Sequence, residues 1–439
     1  MQMLFQKADI KPLAIVRILI GAWFFIDCVG MMLIGWMQDA YIHAEMNFRY
    51  YGFEWVPRLP PAGMYAVFIL LSIAALGIML GYRYRLAVVT FFVCFLYVFL
   101  LDIVYDLNKF YLFLILTFLL YFMDAHRFWS LDVKRGQVTE QREVPRWNIL
   151  IFQALLVMIY FYSGIAKVNP DWALHAQPLK LFLRDISYFR GIDEETFMVI
   201  AYAYSWGGML FDLFISAFLI NRRTNQLALI TMAAFHTWNF FNLGIGMLSI
   251  FTALSTWLFF PNRWLKRKLG LTPAIDEPWP YPPAKRRQIV VFLTIFMVVQ
   301  LSVPHRHYFT GNNVNWTEKG HRFSWRLMTR TKRGSRSLFF VKDPASGETW
   351  KINPRDHLTA RQYRKMSGET DLVLVFAHYL EKKWREKGYA DVIVTAEIRT
   401  RLNGRPADFL VDPELDLTQV QRSLIVDRVS RPLKPIVSD

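Results

Sequence analysis

The sequence predicts a polytopic α-helical membrane protein of about nine transmembrane helices, followed by a smaller extramembrane α+β, β-rich domain. Three observations predict it. Hydrophobic residues fill 54% and aromatic residues 16% of the 439 positions, and mean hydropathy is +0.22, too apolar for an ordinary soluble protein. Nine runs of roughly 14 to 25 mostly apolar residues lie near 12–36, 61–81, 86–105, 110–125, 147–167, 196–220, 225–243, 247–260 and 287–304. Beyond them the composition turns mixed and charged. The expected division is therefore a transmembrane part at 1–305 and an extramembrane part at 306–439.

Each run has the features of a span, though the fourth and eighth are short enough to be tilted, re-entrant or misbounded. No small-residue cleavage site follows the first run, which is expected to stay as an anchor. Cys28 and Cys94 lie inside apolar runs and read as small core residues rather than a disulfide or metal ligands. Orientation follows from the flanking cations. With the N-terminus inside, the inner loops carry 18 Lys and Arg against 6 in the outer loops, the asymmetry expected of cytoplasmic loops. Nine spans then place the tail on the far side, periplasmic or lumenal, with a bacterial inner membrane as the expected setting. The formal charge of +16 fits loops facing anionic lipid, so membrane lipid is an expected partner and nucleic acid is not.

The proline-rich seam TPAIDEPWPYPPAKRR before the ninth span reads as an extended inner linker. In the tail, FSWRLMTRT and SRSLFFVKD are strand-like, DPASGE is a turn, and DVIVTAEIRTRLNGRP alternates at period two before an Asn-Gly turn. Leu372, Val375, Phe376, Tyr379 and Leu380 recur at helical spacing. Asn315-Trp316-Thr317 matches a glycosylation sequon on the outer side, with a chance match as the expected reading.

Charged groups at membrane depth cost roughly 2.5–3.5 kcal/mol or more each, so each needs a partner or a task. Arg17, Asp27, Asp102, Lys167, Asp212 and His236 are such groups. The topology puts Lys167 at the outer end of the fifth span and His236 in the outer half of the seventh. Asn239 shares a helix face with His236; Asp102 and Lys109 lie at the outer ends of the third and fourth spans. Five polar groups from four helices thus share one depth and are expected to converge on a cavity open to the outside. Lys167 has two readings: an anchor whose amine reaches the headgroups, or a desolvated amine that serves as a base. His236 serves packing or hydrogen-bonds a reacting anion, and Asp102 and Lys109 form a rim ion pair or join the cavity. Asp27, Asp212 and Arg17 pair structurally or act chemically, the structural role being the expected one.

YFYSGIAKVNPDW (160–172), AAFHTWNFFNLGIGMLSIF, FMDAHRFWSLD, GNNVNWTEKGHRFSWRLM and NGRPADFLVDPELDL together resemble the vitamin K-dependent γ-glutamyl carboxylase family and its prokaryotic relatives, whose membrane part is the horizontally transferred transmembrane domain. The resemblance covers nearly the whole chain in order. It implies that reduced vitamin K (phylloquinol or menaquinol) is epoxidised with dioxygen while a glutamate-containing peptide or protein is carboxylated with carbon dioxide, without a metal. It also implies Lys167 as the base that deprotonates the quinol, and His236 and Asn239 as the Phe-His-x-x-Asn pair. Where vertebrate members carry two adjacent lysines, Ala166-Lys167 keeps the second. The family's Asn-His pair, tied to the carboxylation half, falls on Asn108-Lys109, and an amine differs from an imidazole in reach and basicity. The Phe323-Ser324-Trp325 motif fits, whereas a tyrosine of animal members corresponds to His321. Asn108, Asp102 and Trp325 are thus the expected binding residues beside Asn239. The tail is too short to imply vertebrate-type propeptide recognition. A membrane protein that binds quinone without oxygen chemistry is the competing reading; a transporter is disfavoured by the lack of matched broken helices.

Overall fold

The computed structural model describes residues 2–105, 108–261, 263–272 and 275–436, so two residues of the proline-rich seam lie outside it. In chain order the elements are β1 (Gln6–Asp9), α1 (Lys11–Leu33), α2 (Pro61–Leu80), α3 (Tyr84–Leu101), α4 (Asn108–Phe122), β2 (Glu143–Pro145) and α5 (Trp147–Lys167). Then come α6 (Pro170–His175), α7 (Leu179–Asp185), α8 (Glu194–Ile220), α9 (Asn225–Asn242), α10 (Met247–Phe259), β3 (Ile275–Pro278) and α11 (Pro283–Ser302). Among the described residues six helices are long and apolar enough to cross a membrane: α1, α2, α3, α5, α8, and α11 with the turn that extends it to Phe309. α4 and α10 are apolar but have 15 and 13 residues. At about 1.5 Å per residue neither reaches the ~30 Å of a hydrocarbon core alone.

Small residues set the closest helix approaches. A side chain at Gly21 of α1 would overlap the backbone of Met79 on α2, and a Cβ at Gly164 of α5 would sit 2.7 Å from the amide nitrogen of Leu213 on α8. The second approach positions the site, because Lys167 and Asp212 flank it. At one end of the bundle β2-β1-β3 form an antiparallel sheet that ties together segments far apart in sequence. Arg17, fully buried, donates to the carbonyls of Ile78, Met79 and Trp129 at 2.7–2.9 Å. It thus satisfies carbonyls left open where α2 ends, where a cation also suits the helix dipole.

The C-terminal part packs on the other end. Its antiparallel sheet has the order β5-β4-β6-β7, from β4 (Lys332–Lys342), β5 (Thr349–Ile352), β6 (Ile393–Leu402) and β7 (Asp408–Phe409). Between β5 and β6 run α12 (Ala360–Met366) and α13 (Thr370–Glu386). Leu372, Phe376 and Leu380 of α13 and Phe339, Val341, Val394, Ala396 and Ile398 of the sheet are buried in the core, as period-3.6 and period-2 patterns require. The expected turn at 343–348 and the Asn403-Gly404 turn, both residues at positive φ, are present.

The expected strand at FSWRLMTRT is not. Residues 323–331 form turns, with Phe323, Trp325 and Met328 at positive φ, a region that L-residues rarely occupy. The alternation there divides side chains between two environments rather than two faces of a sheet: Trp325 is buried against Tyr111 of the membrane part, their ring centroids 5.3 Å apart. Asn315 of the sequon is itself buried, so the folded chain does not present it.

Candidate active site

The motif that ends α5 is accounted for residue by residue. Ser163 and Lys167 lie one turn apart on α5, so both face α8. Asn169 caps α6, its Oδ1 accepting from the Trp172 amide at 3.1 Å, and Pro170 takes the first-turn position where no N–H is needed. Asp171 turns to the C-terminal part: Arg405 donates to both its carboxylate oxygens at 2.7 and 2.6 Å, and Asn403 Nδ2 to one of them at 2.8 Å. The NGRP stretch of the tail therefore anchors the loop that follows the lysine. Trp172 is held by reciprocal bonds with Ser205, its Nε1 donating to the Ser205 carbonyl at 2.7 Å. Its ring lies 5.2 Å from Lys167 Nζ, within cation–π range.

Lys167 Nζ donates to Asp212 Oδ2 at 2.7 Å, to Ser163 Oγ at 2.7 Å and to the Ser163 carbonyl at 3.1 Å. Ser163 Oγ donates in turn to the same Asp212 oxygen at 2.7 Å. Lys167, Ser163 and Asp212 are all buried. The sequence reading had a desolvated amine among apolar neighbours; in the fold it has a carboxylate partner.

These groups border a cavity of about 620 Å³ between α4, α5, α8, α9 and α10, within the size range of small-molecule sites. Asn108, Tyr160, Ser163, Lys167, Trp172, Asp212, His236 and Asn239 line it, and Trp325, Leu327 and Met328 of the C-terminal part close one side. His236 Nε2 is 2.7 Å from the Tyr160 hydroxyl. A neutral ring accepting there keeps its proton on Nδ1, and Nδ1 has no partner among the described residues although it is buried. Ser249 Oγ and Trp325 Nε1, on the same lining, are likewise buried and unpartnered. Buried polar atoms are normally satisfied, so a cavity with three such atoms, a polar corner at Lys167 and Asp212, and mostly apolar walls suits an amphipathic ligand with a polar head. A quinol has that chemistry.

Of the sequence-predicted residues, the fold brings Lys167, His236, Asn239, Asn108 and Trp325 to this cavity. Lys109 and Asp102 do not line it, which corrects the expected convergence of five groups. Lys109 Nζ donates to Asp27 Oδ2 of α1 at 2.7 Å. Asp102 accepts from Asn47 Nδ2 at 3.0 Å, the Val104 amide at 3.0 Å and Gln362 Nε2 at 2.9 Å, holding the end of α3 to the tail. A common depth fixes the position of a residue along a helix but not its rotation about the axis. Asp212, expected to pair structurally, pairs with the cavity lysine itself. Tyr160, Ser163 and Arg405 carried no predicted role; the four-residue spacing of Ser163 and Lys167 was the available signal for one of them.

His321 lies against the Arg330 guanidinium. Burial, reinforced by that cation, pushes its pKa well below the ordinary range. Glu318 beside it meets Arg330 and Lys332. Burial pushes the Glu318 carboxyl up, but Arg330, Lys365 and Lys332 outweigh that and hold it well below the usual carboxylate range.

Comparison with known families matches residues 5–264 to the HTTM domain and residues 285–428 to the lumenal domain of vitamin K-dependent gamma-carboxylase. No solved structure matches the chain. With the first match alone spanning more than half of the sequence and the second most of the remainder, the chain belongs to the HTTM-domain family and is a relative of the γ-glutamyl carboxylases.

Proposed function

We propose that the protein is a quinol-dependent γ-carboxylase-like membrane enzyme, and that the cavity bordered by the Lys167–Asp212 pair is where a reduced quinone of the vitamin K type loses its proton. α4, α9 and α10 join the six long helices to make nine membrane elements in a transmembrane part at 1–305. The N-terminus is cytoplasmic and the extramembrane part, 306–439, is periplasmic or lumenal. The observation that carries the reading is one buried amine, in contact with one carboxylate and one hydroxyl, on the wall of an apolar cavity.

In this reading a proton passes between Lys167 and Asp212, which are in contact. With that proton on Asp212, the Lys167 amine is neutral and able to accept another; Ser163 Oγ, bonded to both, is a path between them. Lys167 is therefore the base, Asp212 sets when it is free, and Trp172 supports the ammonium that results. His236 and Asn239 donate to the developing oxyanion, the imidazole being held in one tautomer by Tyr160. Gly164 and the Asp171–Arg405 contact fix where the amine sits. A reduced quinone held there by Lys167, His236 and Asn239 would supply the chemistry with dioxygen that drives carboxylation of a glutamate side chain. The protein's part is to exclude water and control one proton.

A second reading is favoured by one observation. The residue at the family's carboxylation histidine is Lys109, and its amine is taken up by Asp27 rather than facing the cavity. Epoxidation without efficient carboxylation fits that arrangement. One assay separates the two: purified protein in bilayer discs with reduced vitamin K or menaquinol, oxygen, labelled bicarbonate and a glutamate peptide, scoring epoxide and fixed label independently. Lys167→Ala is expected to abolish both products; full epoxide formation by that variant would end the enzymatic proposal.

A further inference from the structure

We propose that the C-terminal part carries a docking site for an extended, acidic peptide segment, formed by the open half of β4 and the arginine-lined cavity beside it. β5 pairs only with Phe339–Lys342 of β4. On that side Lys332–Leu338 has no strand partner among the described residues, and residues 333–336 are exposed. An unpaired edge presents a row of N–H and C=O groups ready for another strand.

Between this edge and α12 lies a cavity of about 510 Å³. Lys332, Arg333, Arg355 and Arg364 line it, and among the described residues no acidic side chain does. Arg355 stacks over Tyr363 at 4.4 Å, and neither Arg355 nor Arg364 has a carboxylate partner among the described residues. Of the other cations on the lining Lys332 meets Glu318 and Arg333 meets Asp185, and three less exposed arginines of this part are matched as well: Arg322 with Glu369, Arg330 with Glu318, and Arg405 with Asp171. Unmatched guanidiniums on a concave wall favour planar carboxylates, which they bind through paired hydrogen bonds. The backbone edge selects an extended chain, and the charge selects its side chains.

The site also adjoins the catalytic cavity. Leu179 at the start of α7 lines that cavity, and Asp185 at its end is 3.6 Å from Arg333. Six residue steps along a helix cover about 9 Å, which an extended peptide spans with roughly three residues. A segment docked on β4 thus presents a glutamate a few residues away to the Lys167 cavity. That last step rests on the proposed function; the docking itself does not.

Binding is measured on the full chain in zwitterionic bilayer discs, without quinol, using a fluorescent peptide of alternating Glu and Val, about a dozen residues long, and its Gln counterpart. The Glu peptide is expected to bind about tenfold tighter or better. Arg355→Gln/Arg364→Gln is expected to remove that preference while quinol-driven turnover of a single-residue glutamate substrate stays unchanged. N-methylation of alternate peptide amides, which blocks strand pairing, is expected to weaken binding comparably. Equal binding of both peptides, indifference to the double substitution, or indifference to N-methylation overturns the proposal. So does a loss confined to vesicles of anionic lipid, which would make the patch a headgroup site. Turnover with peptide binding insensitive to the arginines sinks the docking site alone; arginine-dependent peptide binding without turnover sinks the enzymatic reading and leaves the docking site standing.

Discussion

Two lysine–aspartate pairs stand in the membrane part at the same nitrogen–oxygen separation of 2.7 Å, Lys167 with Asp212 and Lys109 with Asp27. Their surroundings differ. The side chains of the first pair are 6% and 7% exposed, share a serine hydroxyl, and border the 620 Å³ cavity. Those of the second are 26% and 15% exposed, and the amine's other close neighbour is the Phe110 ring at 5.1 Å. Equal distances do not make equal roles. On the proposed reading, the pair that shares a hydroxyl and borders a cavity serves proton transfer, whereas the other ties α4 to α1.

The largest contrast should come from removing each carboxylate. Asp212→Asn leaves Lys167 without its proton partner and is expected to lower quinol oxidation by about 10² or more. Asp27→Asn is expected to leave that rate within a few-fold and to lower thermal stability slightly. Comparable losses in both variants, measured as epoxide formed per enzyme, would erase the distinction. Next is Gly164→Ala, whose Cβ would press on Leu213 at 2.7 Å from its nitrogen. Overpacking of this kind costs about 1–3 kcal/mol. It is expected to separate Lys167 from Asp212, so activity should fall further than the melting temperature alone explains.

Arg405→Lys replaces a two-point contact on Asp171 with a single one. The expected result is a several-fold fall in turnover with the tail still folded, read by circular dichroism and rate together, and no change in the Lys109 region. The smallest effect concerns pH. Because the folded-state value of Glu318 is held below its unfolded value, its contribution is fully present above the usual glutamate range near ~4.3. It is lost as pH falls through the depressed value. Resistance of the tail to acid proteases should therefore decline on acidification, and Glu318→Gln should flatten that slope.

Much of this was legible in the chain. Apolar length gave the long helices, helical spacing gave α13, and period-two alternation with Asn-Gly gave β6 and its turn. The depth argument found Lys167, His236 and Asn239, since position along a helix follows from residue number. Rotation about the axis and the order of neighbours do not, so the depth argument groups Asp102 and Lys109 with residues they do not meet, and names no partner for Asp212, 45 residues from Lys167. The turn-rich stretch around Trp325 misled for another reason: positive φ at three non-glycine residues is imposed by packing against the membrane part, which no local pattern encodes.

That stretch also bears on how the protein is made. Trp325, Leu327 and Met328 complete the chamber wall, yet they follow every apolar helix in the chain. During synthesis the bundle can therefore be threaded and packed while the basin is still missing one side. A chamber whose last wall arrives with the final third of the polypeptide stays open on that side until the tail has docked.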